Sequence, residues 1–134
     1  MKSIFLIAVI LLTPLAAKLY SQTLSIYNNN TRFGIVNVIS LNDKEIVTLK
    51  PKSVLIYKDL DTSTQKISIE SIYIAKGKKY PFGKPIDNTY TFEKGKEYHI
   101  TSKVNSMGAV EIKLANEKEI AKLKKAKYKE TINK

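Results

Sequence analysis

Between Leu24 and Leu114 apolar and polar residues alternate with a period of two, and no stretch of helical periodicity interrupts them. Successive side chains of a strand point to opposite faces, so this pattern builds half-buried strands. Asn28-Asn29-Asn30, Asn42-Asp43-Lys44, Glu93-Lys94-Gly95-Lys96 and Asn105 to Gly108 punctuate it. Asn, Asp and Gly tolerate the left-handed backbone that tight turns need. Turn signals that recur roughly every 8 to 12 residues, with no crossover helix, predict an all-β fold. The expected architecture is an antiparallel, immunoglobulin-like β-sandwich of about seven to eight strands with a short C-terminal α-helix.

Individual segments sharpen this. Phe33, Ile35, Ile39 and Leu41 share one face of a strand, with Val36 and Val38 on the other. Pro51 separates the short strand Ile46 to Leu49 from Val54 to Tyr57. Ile67 and Ile69 are out of phase with Ile72 and Ile74, which predicts a β-bulge near Glu70-Ser71, or two strands meeting at a corner. Tyr98, Ile100, Ser102 and Val104 alternate against His99, Thr101 and Lys103, a face expected to meet solvent. Val110, Ile112 and Leu114 close the pattern.

The beginning and end of the chain follow other rules. Met1 and Lys2 precede an apolar run, Ala16 and Ala17 follow Pro14, and Ser21 offers a cut. This is the layout of a secretory signal peptide over residues 1–21. The stretch from Ile4 to Ala17 has 14 residues, short of the roughly 20 that a helix needs to span a bilayer. The expected product is exported, periplasmic or secreted, without a transmembrane span, and carries its sandwich over residues 22–115. Cleavage removes Lys2 and Lys18 and no acid, which lowers the net charge from +11 to +9. Residues 116–134 form a basic helix and tail. Asn116 and Glu119 have capping-box spacing, Ile120 and Leu123 make a narrow apolar stripe, and Lys118, Lys122, Lys125 and Lys129 share the opposite face. Fraying is expected beyond Tyr128.

Composition then excludes whole classes of chemistry. There is no Cys, hence no disulfide, no thiolate nucleophile, no Cys-type zinc site and no lipid on an N-terminal cysteine. A single His excludes centres built on two or three His ligands. His99 on the solvent side of a strand is read as a surface residue, not a catalytic one, which would need a nucleophile and an orienting carboxylate. The Asp59–Asp61 and Asp43–Glu45 pairs offer too few oxygens for calcium. No Gly-x-Ser-x-Gly, His-Glu-x-x-His or phosphate-loop pattern occurs. The expectation is no cofactor, no metal, and a protein that is not an enzyme, with a hydrolase as the third choice.

Twenty-two of the 23 basic residues are Lys, and Arg32 is the sole Arg. Arg supplies the planar fork that reads phosphate and guanine, so specific nucleic-acid recognition is not expected. The stretch Lys76-Gly77-Lys78-Lys79-Tyr80-Pro81-Phe82-Gly83-Lys84-Pro85 interleaves lysines with aromatics on a long connection. Lysines supply charge and aromatic rings can stack on sugar faces, so Lys76, Lys78, Lys79, Tyr80, Phe82 and Lys84 are the candidate ligand-binding residues. The alternative is a loop whose Tyr80 and Phe82 plug the end of the sandwich.

Two segments carry a family resemblance: Ile39 to Leu49, a strand, turn and strand, and Tyr90-Thr91-Phe92-Glu93-Lys94-Gly95-Lys96-Glu97-Tyr98-His99-Ile100, followed by Gly108 and a strand entering a charged helix. Together, over roughly residues 35–125, the chain resembles small exported bacterial β-sandwich domains of unknown function, often lipoproteins, with a Pro-Gly-Lys-x-Tyr-Tyr-like segment. His99 stands where the second Tyr of that pattern would be, and the lipobox Cys is missing. The resemblance supplies no catalytic or ligand residues. The expected role is an envelope or periplasmic interaction or binding module with an envelope protein as partner; the alternative is a binder of a polyanion or anionic glycan through the Lys76–Lys84 loop.

Overall fold

The computed structural model describes residues 22–31, 34–58, 60 and 64–133. Residues 1–21, read above as a signal peptide, and Arg32, Phe33, Asp59 and Asp61 lie outside the described residues. The order of elements is β1 (Thr23–Asn28), β2 (Ile35–Leu41), β3 (Lys44–Leu49), β4 (Ser53–Lys58), β5 (Thr64–Ala75), β6 (Lys78–Pro81), β7 (Ile86–Thr91), β8 (Glu97–Val104), β9 (Val110–Leu114), α1 (Glu117–Lys125) and β10 (Lys129–Asn133). One sheet, here sheet A, runs β10-β4-β1-β8-β9. Sheet B runs β3-β2-β5, and the far edge of β5 carries β7 along Thr64 to Ile69 and β6 along Ile72 to Ala75.

The two-layer, all-β architecture agrees with the alternation. Six of the eight pairings described are antiparallel as expected, whereas the strand count and the other two pairings differ. Ten strands are described, and two pairings are parallel, β1 with β8 and β10 with β4. Alternation reports which face a residue occupies and is blind to the direction of a neighbour, so a parallel pairing leaves no trace in it.

The core lies between the sheets. Leu24, Ile26, Leu55 and Ile100 of sheet A meet Ile39, Leu49, Ile67 and Ile69 of sheet B, with Leu60 and Phe92 closing the cluster. Each such side chain contributes roughly 1.5–3 kcal/mol over leaving it in water. Phe92 stands edge-on to Tyr98 at 4.9 Å.

Asn42 and Asp43 both have positive φ, the type I′ geometry whose twist matches paired strands, so the β2–β3 hairpin forms where the sequence places it. The bulge is elsewhere than expected. β5 keeps an unbroken register with β2 through Glu70 and Ser71, whereas β3 slips against β2 between Ile39 and Ser40. The change of phase in β5 has a polar cause. Ser71 points inward like Ile67 and Ile69, and its hydroxyl donates to Asn37 Oδ1 at 2.7 Å inside the core.

Gly34 precedes β2 at φ +89°, and a Cβ there would come within 2.9 Å of the Ile74 carbonyl oxygen, so only glycine fits. At the other end of the chain Asn116 caps α1. Its side chain accepts from the Glu119 N–H at 2.9 Å, and Glu119 completes the capping box. The tail beyond Tyr128 is ordered as β10, in register with Ser53 to Tyr57 of β4. Lys129 therefore belongs to a strand and leaves the lysine face of the helix. Among the described residues no helix is long and apolar enough to cross a membrane.

Candidate functional site

The lysine-aromatic stretch is not a long loop. Lys76 and Gly77 are the two-residue turn of a β5–β6 hairpin, both at positive φ, and Lys78, Lys79 and Tyr80 form most of β6. Lys84 lies exposed in the β6–β7 connection. Phe82 is half-buried, its N–H donating to the Ser71 carbonyl at 2.9 Å. Strand alternation puts Lys78 and Tyr80 on one face and Lys79 on the other, so the lysines do not converge on a point. Tyr80 plugs nothing. It is 50% exposed and pairs across the hairpin with Tyr73, 38% exposed, their ring centroids 6.4 Å apart. On the other face Ile74, 39% exposed, borders an apolar groove of about 450 Å³ lined also by Gly34, Val36, Lys50 and Pro51. Three large side chains thus lie in water at one end of sheet B, among lysines.

The second constellation is one that sequence reasoning assigned to solvent. His99 is 2% exposed. It stands on the outer face of sheet A, but that face is covered by α1 and the segment leading to β10. Its Nδ1 lies 2.7 Å from the hydroxyl of Tyr27, itself 6% exposed. Its Nε2 lies 2.9 Å from Glu97 Oε1, at ion-pair distance though out of line for a hydrogen bond. Burial, chiefly, pushes the Tyr27 phenol up, with the nearby Glu97 and Glu130 charges adding to it. The Tyr27 phenol therefore stays protonated, and its hydroxyl and His99 Nδ1 share one hydrogen bond. The other oxygen of Glu97 accepts from Lys124 Nζ at 3.1 Å. Burial raises the Glu97 carboxyl, but the Lys124 and His99 contacts outweigh it and hold it below its ordinary value of 4.5.

This chain of four side chains ties β1 and β8 to α1. It floors a cleft of about 360 Å³ between the outer face of sheet A and the C-terminal segment. Tyr128 closes one side, edge-on to Tyr27 at 4.9 Å, with its hydroxyl donating to Asn29 Oδ1 at 2.9 Å. Burial pushes the Tyr128 phenol up as well. One signal could have marked the site. Ser25, Tyr27 and His99 are polar or amphipathic residues on one face, and the capped helix carrying Ile120 and Leu123 must cover some face of the sandwich.

Among the described residues no group of three or more His, Asp or Glu is arranged to hold a metal ion. No protein-family model matches the chain, and no curated protein matches it.

Proposed function

We propose that the protein is an exported, non-enzymatic binding module of the bacterial envelope or periplasm, its sandwich used in the manner of immunoglobulin-like domains. Its contact surface is the β5–β6 end of sheet B. The observation that carries this reading is the exposure, at one end of sheet B, of the Tyr73–Tyr80 pair on one face and of Ile74 beside an apolar groove on the other. Apolar side chains clustered in water on an otherwise well-packed fold mark surfaces that bind. Tyrosine is a favoured anchor because it buries much area for little lost freedom. The leader-like residues 1–21 support export. The non-enzymatic part rests on His99. His99 is 2% and Tyr27 6% exposed, which keeps a substrate from both, and burial holds the Tyr27 hydroxyl protonated, so that it is a poor nucleophile.

The partner is an envelope protein with an acidic contact face, matched to Lys50, Lys76, Lys78 and Lys79. The exposed tyrosine pair among lysines also favours a second reading, an anionic glycan stacked on Tyr80. Retention of envelope proteins on the immobilised protein tests the first. Tyr80→Ala should weaken capture of a specific partner by about tenfold or more, the loss typical of an anchor residue. Retention on heparin or lipopolysaccharide tests the second. It should fall steeply with salt and drop in the Lys78→Glu/Lys79→Glu protein. If neither substitution changes retention of any partner, the β5–β6 end is not the contact surface.

A further inference from the structure

We propose that the cleft between sheet A and the C-terminal segment is a separate binding site for a small zwitterion, a molecule that carries an ammonium, a carboxylate and an apolar side chain. Its floor crosses four strands. Glu130 stands on β10, Val54 and Ile56 on β4, Tyr27 on β1 and His99 on β8. Three strand spacings make this a span of about 14 Å. The volume of about 360 Å³ falls in the range of small-molecule sites, roughly 300–1,000 Å³.

The charges select the ligand class. In a chain of net charge +11 this cleft is balanced, with carboxylates of Glu97 and Glu130 from the sheet and ammonium groups of Lys124 and Lys127 from the C-terminal segment. A polyanion or a simple cation would meet as much repulsion as attraction. Lys124 is committed to Glu97, which also faces His99. Among the described residues Glu130 and Lys127 have no ion-pair partner, so one free charge of each sign remains. A ligand ammonium suits Glu130, which shares a sheet face with its register partner Val54. A ligand carboxylate suits Lys127. Val54, Ile56 and Leu123 offer an apolar bed for the side chain. The Tyr27 hydroxyl and His99 Nδ1 share a hydrogen bond beneath it, which holds these two side chains of the floor in place.

Free amino acids and short peptides share this chemistry, and three probes distinguish them by calorimetry: L-phenylalanine, the dipeptide Phe-Phe, and N-acetyl-L-phenylalanine amide, which has neither charge. Saturable binding of one of the two zwitterions is expected, with the blocked probe at least about tenfold weaker. Phenylalanine alone would identify a free amino acid, and the dipeptide alone a peptide. Glu130→Gln and Lys127→Met should each weaken binding by about tenfold, a differential of ~1.4 kcal/mol. Ala126→Trp should fill the cleft and abolish binding, with circular dichroism showing each variant folded. The Lys78→Glu/Lys79→Glu protein should bind as the parent does, so this site and the β5–β6 surface fail independently. The proposal is overturned if no zwitterion saturates the protein up to about 10 mM, the weak end of specific affinity. Equal binding of the blocked probe, or indifference to the Glu130 and Lys127 substitutions, overturns it too.

Discussion

Asn28 carries more of the sandwich than any apolar neighbour of its size could. It ends β1 in sheet A fully buried, yet its amide donates to the Ile35 carbonyl at 3.1 Å and the Leu49 carbonyl at 2.9 Å, both in sheet B. Its side-chain oxygen accepts from the Asn30 N–H and the Asn30 amide, and Asn30 in turn accepts from the Val104 N–H at 2.7 Å. One side chain thereby fastens the two layers and the end of β8. Asn28→Ala strands two buried carbonyls and two donors. At about 1–3 kcal/mol for each buried group left unpaired, the loss should reach about 3 kcal/mol or more. Urea unfolding should show a lower midpoint with the slope unchanged. A loss under about 1 kcal/mol would mean that water replaces the amide and that the staple is not structural. Sequence reading takes Asn28-Asn29-Asn30 for a turn because Asn is a turn former. It is one, but polar spacing cannot reveal that the same side chain reaches into the other sheet.

Elements were legible in proportion to how local their causes are. The β2–β3 hairpin and the cap of α1 follow from residues within four positions of each other, and both form as Asn42-Asp43 and Asn116-Glu119 dictate. The β5–β6 hairpin escaped because Lys76, which is not a usual turn residue, takes positive φ beside Gly77. His99 was misplaced for a tertiary reason, since the helix that buries it lies far along the chain. That helix is clasped to the sheet through Glu97, and the clasp should respond to pH. The folded carboxyl titrates below its ordinary value of 4.5, so in the unfolded chain it takes up a proton first. The clasp is therefore fully present above about pH 5 and is lost as pH falls through the lowered folded value. The stability gap between the parent and Glu97→Gln should be widest near neutrality and close as pH falls below about 5 through the lowered folded value. A gap that stays constant over that range would show that Lys124 and His99 do not stabilise the ionised form. Glu97 is half exposed, so the effect is best read as this trend with pH.

At the scale of the molecule the C-terminal segment decides what sheet A can meet. β10 covers the edge of β4, and α1 covers the outer face above β1 and β8. Without β10, the strand Ser53-Val54-Leu55-Ile56-Tyr57-Lys58 would become an open edge rich in β-branched and apolar residues, the kind that pairs with another copy. The guarded edges of the protein look different. β6 carries Lys78, Lys79 and Pro81, which blunt pairing by charge and by a missing donor. β4 has only Lys58, at its end. Deleting residues 128–134 removes β10, the Tyr128 edge on Tyr27 and the hydrogen bond to Asn29 in one step. A loss of about 2 kcal/mol at this chain length should lower the melting temperature by roughly 6–10 °C. Size-exclusion chromatography should show dimers or larger species growing with concentration. Lys placed at Leu55 would bury a charge in the core, so the control belongs on the outer face. Ile56→Lys in the truncated chain should restore the monomer without restoring the melting temperature. If the truncated chain melts as the parent does and stays monomeric, β10 adds nothing to the fold, and β4 is protected by another element. The order expected is the reverse, because a parallel strand laid on by a capped helix is the only strand that pairs with this edge of β4 among the described residues.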